Sequence, residues 1–239
     1  MTFIDNKKQL EEYAKAYASQ TPPNSLKNLA FSHLPALLKK YTTGSKALDF
    51  GCGAGYSTNF LKSLGFNCVG VDINPKMVEI AKENDKSGTY QSIVNSKIPY
   101  RDKTFDLVFA SFVLLEMGSL EQIEKSLLEI NRVLKPNAHF IAILNNKNTY
   151  KYKWGSLNTN FPQNKILKSG KKVKIEFLDQ GFAIEDYYWT QEDYLNVMQK
   201  ANLELIEIYT PLADPNDGID WKDETRISPN SIYFMKKVQ

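Results

Sequence analysis

With 239 residues, 42% of them apolar, the chain is long enough for one large domain with a sizeable insertion and too apolar for wholesale disorder. Thirty basic against 27 acidic side chains leave a net charge of +3, too balanced to call for nucleic acid or an anionic membrane as partner. Two cysteines, Cys52 and Cys68, make neither a disulfide framework nor a CxxC pair; they read as small buried thiols of a reducing, cytoplasmic compartment.

The opening MTFIDNKKQLEEYAKAY has no apolar run that could serve as a signal peptide, and no stretch approaches the length of a bilayer-spanning helix. Leu10, Tyr13, Ala14 and Tyr17 fall at helical spacing, and TPPN at 21–24 ends that helix. A second helix is expected from Ser25 to about Tyr41, with Leu26, Leu29, Leu34, Leu37 and Leu38 on one face and a kink expected at Pro35.

From Lys46 short strands and helices alternate. KALDF is a strand followed by the glycine turn GCGAG, and YSTNFLKSL a helix ended by Gly65. NCVGVD (67–72) is a strand, and NPKMVEIAKEN (74–84) a helix opened by Asn74 and Pro75. GTYQSIV (88–94) and TFDLVFASFV (104–113) are strands, the latter apolar enough for burial on both faces. SLEQIEKSLLEINRVL (119–134) is an amphipathic helix with a capping box formed by Ser119 and Gln122, and after KPNA comes the strand HFIAIL (139–144). Residues 145–189 break this rhythm with lysines and aromatics and one strand at 172–178; a helix at 190–202 and strands at 203–211 and 231–238 complete the chain. Such alternation builds a parallel sheet covered on both faces, with a ligand outside the carboxyl ends of its strands.

Glycine costs backbone entropy, so Gly51, Gly53 and Gly55 imply positive φ or a partner closer than a Cβ allows. A dinucleotide fingerprint wants a small residue where Tyr56 stands and welcomes a basic group, which the turn lacks. Asp72, seventeen residues past Gly55 at a strand end, suits the two hydroxyls of a ribose.

The motifs LDFGCGAG, VGVD with INPKMVEIAKE, FDLVFASFVLLE and LLEINRVLKPNAHFIAI, in this order over residues 40–145, resemble those of class I S-adenosylmethionine-dependent methyltransferases. The C-terminal DYYWTQEDYLNVMQKANLELIEIYTPL is more loosely similar to small-molecule members. The resemblance implies a doubly wound, mostly parallel seven-stranded Rossmann-like α/β sheet in one domain. Its parts would be a helical lid (1–44), a cofactor core (45–144), a substrate-side insertion (145–189) and a C-terminal completion (190–239). It implies S-adenosylmethionine as cofactor and S-adenosylhomocysteine as product. Gly51, Cys52, Gly53, Gly55 and Asp49 would lie at the methionyl moiety, Asp72 on the ribose, Ile73 and Met77 beside the adenine, and Ser111 and Phe112 beside the methionyl group. Where the family often has Asp-Ala facing the adenine amine, this chain has Val94 and Asn95, and Asn95 can accept through its side-chain oxygen.

Methyl transfer from a sulfonium needs alignment and a dry pocket, and no metal or nucleophilic residue. As a base, Glu116 stands close after the fourth strand, His33 lies on the lid helix and Tyr17 near the cofactor; each also reads as an ordinary solvated or packed side chain. His139 reads as structural. Tyr13 and Tyr17 close over the sulfonium or pack on the core; Tyr150, Trp154, Tyr187, Tyr188 and Trp189 wall the acceptor pocket or are core. Lys147, Lys151, Lys153, Lys165, Lys168, Lys171, Lys172 and Lys174 read as a solvated hairpin edge rather than a nucleic-acid footprint. The expectation is a monomeric or homodimeric enzyme acting on a small molecule. An RNA- or macromolecule-directed methyltransferase and a catalytically silent cofactor-binding subunit are the alternatives.

Overall fold

A computed structural model describes residues 2–5, 9–18 and 25–238; the TPPN break expected at 21–24 lies outside them. Among the described residues, strand β1 (Thr2–Phe3) and helices α1 (Leu10–Tyr17) and α2 (Leu26–Tyr41) precede the alternating region. That region holds β2 (Lys46–Phe50), α3 (Tyr56–Ser63), β3 (Asn67–Asp72), α4 (Pro75–Asn84), β4 (Thr89–Ser92), β5 (Phe105–Ser111), α5 (Leu120–Val133) and β6 (Leu134–Asn145). The rest comprises β7 (Leu157–Asn158), β8 (Lys171–Phe177), β9 (Phe182–Tyr188), α6 (Gln191–Lys200), β10 (Leu203–Tyr209) and β11 (Asn230–Lys237).

The seven-stranded sheet runs β10-β11-β6-β5-β2-β3-β4; β11 is antiparallel to both neighbours and the other core pairings are parallel. Its strand order reverses at β2 and β5, and the glycine turn leaves the sheet there. The continuous apolar run of β5 is explained by cover on both faces. Leu107 and Phe109, with Ile141 and Ile143 of β6, pack against Phe31, Leu34 and Leu38 of α2. Val108 and Ala110, with Phe140 and Ala142, pack against Ile123, Leu127 and Ile130 of α5 and Val197 of α6. The caps fall where side-chain acceptors were expected: Ser25, Asn74, Ser119 and Thr190 each accept from a main-chain N–H of the following turn.

Helix α2 continues past Pro35 to Tyr41. Two expectations change. The KPNA stretch is not a gap between helix and strand: β6 begins at Leu134, directly after α5, with Asn137 at φ +62°. The insertion holds a hairpin rather than one strand, β8 pairing antiparallel with β9 from Lys171↔Tyr188 to Phe177↔Phe182. Strand β1 pairs parallel with β9, and β7 pairs antiparallel with β8, so a second four-stranded sheet, β1-β9-β8-β7, lies outside the core. The N-terminal segment is thus bonded to the insertion. It also reaches the core, where Asn74 Nδ2 donates to Leu10 O at 3.1 Å. Ile4, Tyr13 and Ala14 join Met77 of α4 and Phe182 and Ile184 of β9 in one buried cluster. Among the described residues no helix is long and apolar enough to cross a membrane.

Gly70 in β3 is one position where close packing forbids a side chain. A Cβ there would stand 2.8 Å from both Cys52 Sγ and Tyr90 Cδ1. We expect Gly70→Ala to cost about 1–3 kcal/mol, read as a lower denaturant midpoint at unchanged slope.

Candidate functional site

Strand β2 ends in Asp49 and Phe50, and the chain then makes its glycine turn at the carboxyl edge of the sheet. Gly51, Gly53 and Gly55 all have positive φ, at +76°, +51° and +91°, the region that favours glycine. Their surroundings differ. A Cβ on Gly51 would lie 2.4 Å from Val113 Cγ2, and one on Gly55 3.2 Å from Ala81 Cβ. At Gly53 the nearest atom would be Met77 Sδ at 3.9 Å. Two of the glycines therefore serve the packing of the turn itself, and Gly53 alone turns an open face outward.

The turn's amides are largely committed to the fold. Gly51 N and Cys52 N donate to Val71 O at 2.8 and 3.0 Å, Gly53 N to Asp72 Oδ2 at 2.8 Å, and Gly55 N to Cys52 O at 2.9 Å. Among the groups that remain for an anion are the first-turn amides of α3 and the ammonium of Lys27. Lys27 supplies the basic group that the sequence of the turn lacks. Its Nζ sits 4.0 Å from the centroid of the Tyr56 ring and 5.4 Å from that of Tyr17. Burial brings its pKa down to about 8, against the upward pull of Asp49. No motif marked it, because it stands on another helix far from the turn in sequence.

Two carboxylates flank the turn. Asp72 accepts from Gly53 N through Oδ2 and from Asn74 N through Oδ1, both at 2.8 Å, which joins the end of β3 to the turn and to the cap of α4. Burial raises its pKa, and those main-chain donors oppose the rise. Asp49 is fully buried. Its Oδ2 accepts from Ser57 and Thr58 hydroxyls, each at 2.6 Å, whereas Oδ1 has no partner. Burial pushes its pKa up to about 6, with the Asp72 charge adding to the rise while the two hydroxyls and Lys27 oppose it. An orphaned buried carboxylate oxygen beneath a turn is an acceptor waiting for a cationic or N–H donor.

Clefts of about 560 and 510 Å³ lie at this edge and share Tyr17, Gly51, Gly53 and Ser111. The first reaches Cys52, Tyr56 and Lys27; the second reaches Asp72, Ile73, Met77, Val94, Asn95, Phe112 and Glu116. The cofactor residues named from the sequence line these clefts, except Asp49, buried below the turn, and Gly55, packed against α4. Phe112 holds φ +59°, rare for an aromatic residue, directly after β5. Such strain persists only where surrounding structure imposes it, and here its main-chain N–H is fixed to Ile143 O at 2.9 Å.

A third cavity of about 80 Å³ lies between the N-terminal segment and the second sheet. It shares Tyr13, Tyr17, Phe112 and Glu116 with the 510 Å³ cleft. Glu116 Oε1 accepts from Tyr13 Oη at 3.0 Å. The aromatic wall expected from the sequence is corrected in part. Tyr13 lines the cavity; Tyr150, Trp154, Tyr187, Tyr188 and Trp189 do not. Trp154 Nε1 donates to Thr149 O and Trp189 Nε1 to Met117 O, both buried, and Tyr150 packs edge-on against Tyr188. Phe177, Ile175, Ile184 and Asp186 of the β8–β9 hairpin stand there instead. The apolar runs on either side of LDQG (178–181) carried the hairpin signal that would have found them.

His33 is remote from all three cavities: Nε2 contacts Leu212 O at 3.0 Å and Nδ1 the Tyr209 hydroxyl at 2.8 Å, tying α2 to the C-terminal region. His139 is half-buried within β6, and burial lowers its pKa. Of the insertion's lysines, most are exposed, Lys172 pairs with Glu185 at 3.0 Å, and Lys174 stands over the Phe161 ring.

Residues 48–142 match the methyltransferase domain family. An uncharacterized methyltransferase of Synechocystis is 34% identical over 47% of this chain, which spans about half (53%) of that relative's length. N-demethylindolmycin N-methyltransferase of Streptomyces griseus is 22% identical over 87% of this chain and 92% of its own. A crystal structure of an S-adenosylmethionine-dependent methyltransferase from Methanosarcina mazei shares the fold, with TM-score 0.64 at 17% identity, covering 84% of this chain and 97% of that one.

Because the folded pKa of Asp49 lies above its unfolded value, the folded state binds more protons between about pH 4 and pH 6, and stability falls as pH rises through that window. We expect Asp49→Asn to flatten this fall and leave the ligand-free protein at least as stable as the parent at pH 7, measured by thermal unfolding across pH 4–8.

Proposed function

We propose that this chain, which belongs to the class I S-adenosylmethionine-dependent methyltransferase family, transfers the cofactor's methyl group to a small-molecule acceptor. One observation carries the reading: a cavity of about 80 Å³ shares Tyr17, Phe112 and Glu116 with the clefts around the glycine turn. A chamber of that size, roofed by α1 and the β8–β9 hairpin, suits a compact acceptor rather than a polymer. The Streptomyces relative, alike over most of both chains, is named for a small-molecule acceptor, which supports the same reading.

The residues present fit the cofactor. The orphaned Oδ1 of Asp49 suits its ammonium, and Lys27 with the first turn of α3 suits its carboxylate. Each Asp72 oxygen uses one lone pair on a main-chain N–H and keeps another for a ribose hydroxyl. Met77 and the exposed side chains of Ile73 and Val94 offer apolar contact to a base, with Asn95 at the rim as acceptor. Bound there, the cofactor supplies an electrophilic methyl carbon on a sulfonium, so its C–S bond breaks as the acceptor's bond to carbon forms, and S-adenosylhomocysteine is left. The protein's part is alignment and exclusion of water. Phe112 and Tyr17 stand where cleft and cavity meet, and the Tyr13 hydroxyl holds the Glu116 carboxylate there as the group able to take up an acceptor's proton.

Incubating the protein with methyl-labelled S-adenosylmethionine and a cell extract tests this reading. We expect label in a mass-shifted small metabolite. Label in the RNA or protein fraction would point to a macromolecular acceptor, and no transfer despite cofactor binding to a silent subunit. Asp72→Ala would also remove two supports of the turn, so Asp72→Asn is the cleaner variant. Its affinity for S-adenosylhomocysteine should fall by about tenfold or more in calorimetry, and its unfolding midpoint should fall less than that of Asp72→Ala, because the amide keeps one of the two main-chain bonds.

A further inference from the structure

We infer that the lysine-bordered loop at 165–171, which leads into β8, docks on an anionic phospholipid bilayer. The inference does not depend on the methyltransferase reading.

The near balance of charge over the whole chain conceals an uneven distribution. Between positions 147 and 174 the sequence has eight lysines and neither aspartate nor glutamate, so the rest of the chain is net negative. Among the described residues only Lys172 of the eight is in an ion pair, with Glu185 at 3.0 Å, and Asp5 adds its charge there. Asp223 accepts from the main-chain N–H of Lys153 at 2.8 Å. On the loop itself, Ser169 Oγ donates to Asp193, which also accepts from the hydroxyl of Thr190 at the cap of α6. Lys165, Lys168 and Lys171 are in no ion pair among the described residues.

The fold gathers these three ammoniums around one apolar side chain. Lys171 N donates to Lys168 O at 3.0 Å and Lys171 Nζ to Ile166 O at 3.3 Å, which closes the loop into a tight turn. Asn164 fastens its start to β8: Nδ2 donates to Lys174 O at 2.7 Å, and Oδ1 accepts from Lys174 N at 2.9 Å. At its other end Gly170 N donates to Tyr188 O at 2.9 Å. Leu167 packs inward against the cluster of Tyr150, Val173 and Ile175. Ile166 is left 61% exposed, between the exposed Lys165 and Lys168.

Ile166 alone would be ordinary on a surface. Within a turn held by hydrogen bonds and bordered by ammoniums, it discriminates between anionic partners. A nucleic acid would neutralise the lysines and leave the isoleucine in water. Base stacking also needs an exposed ring, whereas Phe161 is half-buried with the Lys174 ammonium 4.8 Å from its centroid, and Tyr152 is half-buried edge-on to Trp154. An anionic bilayer takes both features. Headgroup phosphates and carboxylates accept from the lysines, and the isoleucine enters the acyl boundary. The net negative remainder of the chain is repelled by the same surface, which turns the loop toward it. One aliphatic side chain and a few lysines fall far short of an anchor, so the contact is peripheral and reversible. A bilayer at this loop adjoins β8, the strand whose Ile175 and Phe177 line the third cavity.

The test is co-sedimentation of the full chain with vesicles of phosphatidylcholine alone and of phosphatidylcholine mixed with phosphatidylserine, at physiological ionic strength. We expect binding to the mixed vesicles only, weakened by added salt. Lys165→Gln, Lys168→Gln and Lys171→Gln together should weaken it by about fivefold for each charge removed. Ile166→Ser should weaken it severalfold and leave the salt dependence unchanged. Lys39→Gln with Lys82→Gln, which removes exposed charge from α2 and α4, should bind as the parent does. Should the triple variant not fold, Lys165→Gln and Lys168→Gln singly decide the matter. No binding to the mixed vesicles, equal binding to both kinds, an equal loss in the α2 and α4 control, or parental binding by Ile166→Ser overturns the inference. So does single-stranded RNA that displaces the vesicles from the protein, which would assign the loop to nucleic acid.

Discussion

The hydrogen bond from Gly53 N to Asp72 is the constraint on which the site depends. It joins the turn after β2 to the end of β3, and the other Asp72 oxygen takes Asn74 N at the start of α4. Three consecutive elements are thus locked at the sheet edge where the strand order reverses. With Gly51 N and Cys52 N both given to Val71 O, the turn is rigid before any ligand arrives. Preorganisation of this kind reduces the ordering cost that a cofactor would otherwise meet on binding.

Beneath the turn, Asp49 is held at a cost to stability. Two hydroxyls satisfy one of its oxygens and leave the other unpartnered in the interior. A buried carboxylate in that state destabilises the ligand-free fold, and a cationic partner relieves it. Lys27 faces the converse problem on the other side of the turn, its charge partly desolvated over the Tyr56 ring. Acid and base across the turn are complementary to a zwitterion.

The roof arises from contacts distant in sequence. The first strand pairs with β9 of the insertion, and α1 packs on α4 of the core. Tyr13 and Tyr17, from α1, then meet Glu116, from after β5, and Asp186, from β9. The N-terminal segment and the insertion therefore make one cover over the strand ends, and the small cavity lies beneath it.

The periodicities determined the core. The alternation of short apolar runs with amphipathic helices, and side-chain caps at Ser25, Asn74, Ser119 and Thr190, specified seven strands and the helices between them, because those signals are local. The glycine turn and the strand-end Asp72 likewise stood in the sequence, since each is a short local signal at the end of a strand. The lining of the third cavity was not legible. The aromatics that looked like its wall, Trp154 and Trp189 among them, are core, because nothing in a sequence says which neighbour buries a ring. The orphaned Asp49 oxygen, the approach of Lys27 to the turn and the cluster of Glu116 and Asp186 are products of tertiary packing. Burial and long-range pairing, which set the charge and polarity of a cavity, come into being only when distant segments meet.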